Sequence, residues 1–174
     1  PFAANFQFHV ARFAPVARIL ADHGCRLALE FIGPQTLRNG KRYGFIHTMD
    51  GMLALAAAIG ENVGLLLDAW HLYTSHGTLA EMDLLTNDQV VYVHVNDAPA
   101  GVPVDEQKDN VRCLPGETGV IDLPGFLRKL AAIGYDGPVT PEPFSQKLRE
   151  MSPEDAVRTT AEALRKAWHA AGLP

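Results

Sequence analysis

Four apolar runs in this chain each end on a side chain that can bind a metal ion or move a proton. "RLALE" ends on Glu30, "GLLLD" on Asp68, "VVYVH" on His94 and "GPVTPE" on Glu142. A carboxylate at the end of a buried run is costly unless something pairs with it. Taken singly, plainer readings serve: Asp68 as a helix N-cap or turn residue, His94 as a hydrogen-bonded core histidine, and Glu30 and Glu142 as partners of nearby arginines. Four coincidences in four consecutive runs are far rarer than any one. Three carboxylates and an imidazole make a hard, oxygen-rich donor set, suited to one divalent ion such as Mn²⁺, Mg²⁺, Co²⁺ or Zn²⁺.

The elements that would carry these residues follow from hydrophobic periodicity. Apolar residues Phe6, Val10, Phe13, Val16, Ile19 and Leu20 recur at helical spacing from Asn5 to Gly24, with Pro15 as a point where that helix could kink or split. "CRLALEFIG", "VGLLLD", "QVVYVHV" and "GPVTPE" read as strands. Between them lie the Ala-rich helix "MLALAAAIG", a loop through "YTSHG" with a helix from about Thr78 to Leu85, and a polar loop from Asn96 to about Val120. Asp122 is placed to cap the helix "DLPGFLRKLAAIG", and Ser152 with Pro153 opens a final helix to about Ala171. One helix followed by four strand–helix units predicts a parallel α/β sheet with helical cover. In such folds sites form at the C-terminal strand ends, where the four residues stand.

Composition narrows the possible functions. The 174 residues are 47% hydrophobic with a formal charge of −5, an ordinary globular balance long enough for one sizeable core. The mild acidity gives no electrostatic reason to expect nucleic acid or an anionic membrane as partner. Cys25 and Cys113 are too few for a disulfide framework or a cysteine-only zinc site, and a reducing, cytoplasmic setting is the default expectation. No apolar run is long enough to span a bilayer and no signal peptide is recognised. The chain opens on Pro1 rather than Met, which predicts that this is not the natural start.

"LALEF", "GLLLDAWH", "VHVND" and "PGETGVIDLPGFLRKLAAIGYDGPVTPE" resemble the sugar phosphate isomerase/epimerase family of xylose-isomerase-like TIM barrels. The resemblance runs from about Asp22 onward, and "PGETGVIDLPGFL" with "GYDGP" is its most specific part. It implies one divalent metal held by Glu30, Asp68, His94 and Glu142, with Glu30 and Glu142 as the acid/base pair. It also implies that His71, one helical turn beyond Asp68, and Arg112, before the Pro-Gly turn, reach substrate oxygens. The plainer alternatives are a barrel-rim histidine and a rim salt bridge from Arg112 to Asp109 or Glu117. Asp97 reads as support or a turn, and Glu117 as loop structure first and substrate contact second. Trp70 and Tyr73 read as packing rather than pocket wall, and Arg38, Lys41 and Arg42 as a solvated basic loop rather than a phosphate site.

The implied activity is metal-dependent isomerisation or epimerisation of a small sugar, sugar phosphate or cyclitol, with a dehydratase as the alternative. Endonuclease IV, a nuclease of similar fold, is disfavoured by the negative charge and by the lack of histidines between His94 and His169. A non-catalytic half-barrel is disfavoured by the intact donor set. A whole barrel has eight strand–helix units and about 250 residues, whereas four units are read here. The expectation is therefore a single domain over residues 1–174 corresponding to the C-terminal half of a TIM barrel. It would be completed by a further half or by pairing as a homo-oligomer, with a partner burying Leu27, Leu65, Leu67 and Val93.

Overall fold

A computed structural model describes residues 1–173. Four parallel strands, β1 (Leu27–Leu29), β2 (Val63–Asp68), β3 (Val90–Val95) and β4 (Val139–Pro141), lie side by side in chain order. Helix α1 (Phe2–Asp22) precedes them. Short α2 (Gln35–Arg38) and longer α3 (Met49–Ile59) follow β1, and α4 (Ala69–Thr74) follows β2. After β3 comes α5 (Leu123–Ala132), and after β4 come α6 (Gln146–Arg149) and α7 (Pro153–Ala171). Strand order equal to chain order, with helices between, is the βα pattern of a barrel wall.

The caps read from sequence are present. Asp122 accepts the Gly125 N–H at the start of α5, and Ser152 accepts the Asp155 N–H at the start of α7. Helix α7 ends on Gly172 at φ 70°, the left-handed conformation that glycine adopts without strain. Helix α1 starts three residues earlier than its periodicity suggested and runs unbroken through Pro15, its apolar stripe (Phe6, Val10, Phe13, Ala14 and buried Ala17) packing on the core.

Two expectations need correction. Thr78–Leu85 forms no α-helix: Glu81–Leu84 is a single 3₁₀ turn, and the α-helix of this connection is α4, directly after Asp68. The buried residues Met82 and Leu85 stand three apart, the spacing that a 3₁₀ turn brings onto one side. Asp68 meanwhile starts α4 at once by accepting the Trp70 N–H.

The second correction concerns which strand residues await a partner. Leu65, Leu67 and Val93 are fully buried within this chain, in the core between sheet and helices, and Leu27 packs at its edge. Strand residues alternate faces. Asp68 therefore shares its face with Leu66, while Leu65 and Leu67 point the other way, toward the helices. The pairings Leu66 with Tyr92 and Asp68 with His94 carry the site face across to β3, and His94 with Thr140 carries it to β4. The residues of that face, Ala28, Leu66, Tyr92 and Thr140, are only half-buried. Among the described residues, no helix is long and apolar enough to cross a membrane.

Candidate metal centre at the strand ends

The register places Asp68 and His94 side by side at the ends of the two inner strands. Glu30 stands one residue beyond β1 and Glu142 one residue beyond β4, where its N–H donates to the Val95 carbonyl. One donor atom from each of Glu30, Asp68, His94 and Glu142 lies within 4.8 Å of all the others. Oε1 of Glu30 and Nδ1 of His94 are buried with no hydrogen-bond partner among the described residues. Buried polar atoms are normally satisfied, so two orphaned lone-pair atoms facing one point ask for a cation. Three carboxylate oxygens and one imidazole nitrogen fit a divalent ion of the Mn²⁺, Mg²⁺, Co²⁺ or Zn²⁺ class.

Asp68 is both the N-cap of α4 and a member of the donor cluster, two placements that its sequence position had set against each other. Its Oδ1 accepts the Trp70 N–H at 2.8 Å and the Asn96 side-chain amide at 2.9 Å, while Oδ2 faces the cluster. The N-cap fixes the carboxylate in one rotamer and leaves one oxygen to the site. Asn96 was not singled out from sequence, although it stands two residues after His94 and so on the same strand face.

Glu30 is pushed up to about 8, chiefly by burial and then by the nearby Asp68 and Glu142 carboxylates, with Arg112 opposing. His71 is held down to about 4, chiefly by burial. The Gly33 N–H donates to its Nδ1 at 3.2 Å, so the proton of the neutral ring sits on Nε2. That atom lies 3.7 Å from Glu30 Oε1 and 3.9 Å from Asp109 Oδ1, beyond direct hydrogen bonding to either. Gly33 is obligatory here: a Cβ would sit 2.3 Å from the His71 carbonyl oxygen.

Arg112 is no rim residue. It is 4% exposed, and its guanidinium lies over the rings of Trp70 and Phe144, at 5.1 and 4.8 Å from their centroids. Nη1 donates to Asp68 Oδ2 at 2.7 Å and to Glu142 Oε2 at 2.9 Å. Nη2 and Nε donate to Asp109, through its Oδ1 and its carbonyl oxygen. Of the expected alternatives, the Asp109 pair is present. Glu117 instead accepts the Leu114 N–H, as a loop-forming residue should. Phe144 holds φ 37°, a conformation uncommon for a bulky residue, two positions beyond Glu142.

The loop that delivers Arg112 is held by Asp97, fully buried, whose carboxylate accepts four backbone N–H groups, from Ala98, Thr118, Gly119 and Ile121. Asp97 and Cys113 also exchange both backbone hydrogen bonds across the loop. Burial pushes the Cys113 thiol up to about 11, which leaves it a poor nucleophile. The pairing with Asp109 was readable from its place three residues before Arg112, whereas Phe144 could not have been found from sequence, since only the folded loops bring it to Arg112. Arg38 turns back onto the Gly33 carbonyl and Arg42 lies over Tyr43, so the basic loop forms no anion cradle with them.

Residues 3–167 match the family described as Xylose isomerase-like TIM barrel. An inosose isomerase of Halalkalibacterium halodurans is 29% identical over 146 residues, 83% of this chain and 48% of that protein. A 3-dehydroshikimate dehydratase of Pseudomonas aeruginosa is 36% identical over 89 residues, 51% of this chain and 14% of that protein. Among solved structures, a xylose isomerase domain protein of Alicyclobacillus acidocaldarius superposes with TM-score 0.82 at 35% identity, covering 92% of this chain and 57% of that one. The IOLI protein, solved with a bound zinc atom, superposes with TM-score 0.80 at 23% identity, covering 93% of this chain and 55% of that one. The chain spans about half the length of the curated isomerases it matches.

Proposed function

The chain belongs to the xylose isomerase-like TIM barrel family, and from that premise we propose that it carries the site of a divalent-metal-dependent isomerase or epimerase of a small sugar or cyclitol. The observation that carries this reading is the convergence of four donors from four successive strand ends within 4.8 Å. The names of its relatives, inosose isomerases and ketose epimerases, point to the same substrate class. Glu30, Asp68, His94 and Glu142 would hold the ion, and residues 1–174 would act as one domain.

The bound ion would supply Lewis acidity, polarising a carbonyl and its neighbouring hydroxyl so that the carbon between them becomes acidic. Glu30 and Glu142 reach the site from its two opposite edges, one able to take the proton and the other to return it. Their surroundings differ: Glu142 has Arg112 at 2.9 Å, whereas burial raises Glu30 and its Oε1 has no hydrogen-bond partner among the described residues. Two carboxylates in unlike environments suit opposite halves of a proton shuttle. The Nε2–H of His71 is a neutral donor for a substrate oxygen, and Arg112 is a charged one. Arg112 is buried, its guanidinium over the rings of Trp70 and Phe144.

A dehydratase is the second reading, favoured by the 36% identity to a 3-dehydroshikimate dehydratase over half of this chain. The same proton removal would be followed by loss of a β-hydroxyl instead of proton return. One experiment tests both: metal content of the purified chain, then incubation in D₂O with each divalent ion and with inososes, ketohexoses and 3-dehydroshikimate. One ion per chain and metal-dependent deuterium uptake next to a carbonyl are expected from an isomerase, and an enone from a dehydratase. A chain that binds no divalent ion contradicts both readings.

A further inference from the structure

The oxygens of the cluster are not all free for a metal. Oδ1 of Asp68 is already committed to the Trp70 N–H and the Asn96 amide, which leaves Oδ2 for the site. That same Oδ2 accepts Arg112 Nη1 at 2.7 Å, and Nη1 also bonds Glu142 Oε2, which lies 3.4 Å from His94 Nδ1. The rest of the guanidinium is fixed by Asp109, to which Nη2 and Nε donate, and lies over the rings of Trp70 and Phe144.

We propose that Arg112 is a built-in competitor of the divalent ion: its Nη1 and the metal contend for Asp68 Oδ2 and Glu142 Oε2, and metal binding turns Nη1 off those oxygens while Asp109 keeps the guanidinium at the site mouth. This rests on the metal reading above and deepens it. The physical reason is the burial of the carboxylates. A fully buried Asp68 needs a cation close by, and Nη1 serves it and Glu142 together while the rest of the planar guanidinium is held by Asp109. A dication brought to the same oxygens repels that charge and takes the lone pairs it uses. The displaced Nη1 is then an unpaired donor beside the ion, held at the Asp109 pivot, where a substrate oxygen can accept from it. Metal would thus bind before substrate, because its arrival creates the substrate's donor.

The test uses metal alone as the probe. Mn²⁺ and Zn²⁺ affinities are measured by calorimetry for the wild-type chain, Arg112→Gln and Arg112→Lys, with melting curves with and without metal. Removing the competing charge is expected to tighten metal binding at least about tenfold for Gln, with Lys in between. Arg112→Gln should melt lower than wild type without metal, and metal should raise its melting temperature by more than it raises the wild type's. Refolding of an otherwise unfolded Gln variant on metal addition counts equally in favour. If that variant stays unfolded, Lys decides, tighter than wild type supporting the proposal and equal or weaker binding overturning it. If wild type binds metal and a folded Gln variant binds equally or more weakly, the competition is refuted while the metal reading stands. If no form binds metal, both fall together.

Discussion

The inner strands β2 and β3 and the outer strands β1 and β4 deliver their site residues on different terms. The inner strands are six residues long and hydrogen-bonded on both sides, and the outer ones are three residues long and paired on one side only. Asp68 arrives with its side chain 0% exposed and one oxygen locked by two donors, and His94 with 17% exposed. Glu30 and Glu142 arrive just past their strands on longer side chains, 28% and 31% exposed. A fixed pair is suited to define a metal position. A pair with slack and partial solvent access is suited to exchange protons with a substrate. The difference in exposure follows from sheet position and side-chain length.

The largest effect is expected where the fixed pair is broken. Asp68→Asn puts an amide N–H or a weaker acceptor against Arg112, leaving a buried charge poorly paired, which costs about 3–5 kcal/mol. Chemical denaturation of the metal-free chain should show that loss, and calorimetry should show metal affinity reduced more than about a hundredfold. Comparable damage from Glu142→Gln to folding would mean that inner and outer strands do not differ as described.

Glu142→Gln is expected to keep the fold, since the side chain is partly exposed, and to lower turnover in the intact enzyme by about 10²–10⁴, the usual weight of a positioned acid/base. Activity within a few-fold of wild type would take Glu142 out of that role. A smaller effect is expected at the support of the site. Gly33→Ala forces a methyl against the His71 backbone and the Thr74 hydroxyl, at a cost of about 1–3 kcal/mol. Proton NMR should show the His71 ring losing its single tautomer, and an unchanged signal would show that Gly33 does not set it.

The gentlest test of the comparison is pH. Without metal, the folded chain holds the Glu30 proton up to about 8, whereas the unfolded chain releases it near 4.5. The stabilisation from this group is therefore full below about 4.5, falls as pH rises toward 8, and is level above that, with a slope of at most about 1.4 kcal/mol per pH unit. Glu30→Gln should flatten that part of the stability–pH curve. An identical curve for wild type and variant would show that Glu30 titrates normally.

Much of this arrangement was legible in the residues. The strands around Leu65–Leu67 and Val90–Val95 announced themselves as short apolar runs bounded by turn residues, although one of their faces is only half-buried. Glu30, Asp68, His94 and Glu142 stood out because charge at the end of such a run has no bland explanation four times over. The caps at Asp122 and Ser152 were readable because capping is a contact within three residues. Thr78–Leu85 misled because helix and 3₁₀ turn share apolar spacing over so short a stretch, and burial of Met82 and Leu85 chose between them. Leu65, Leu67 and Val93 are buried under the helices rather than awaiting a partner, and two-residue alternation counted back from Asp68 already puts Leu65 and Leu67 on that face.

By itself, then, the sequence determined the parallel βα order and the four donors, because both rest on local periodicity and on the energetic cost of a buried charge. Only the tertiary structure decided what surrounds those donors. Arg112 lies 44 residues from Asp68 and 30 from Glu142, and Asp97 reaches across more than 20 residues to hold the loop that carries it. Contacts at such separations follow from loop packing, and no spacing along the chain encodes them.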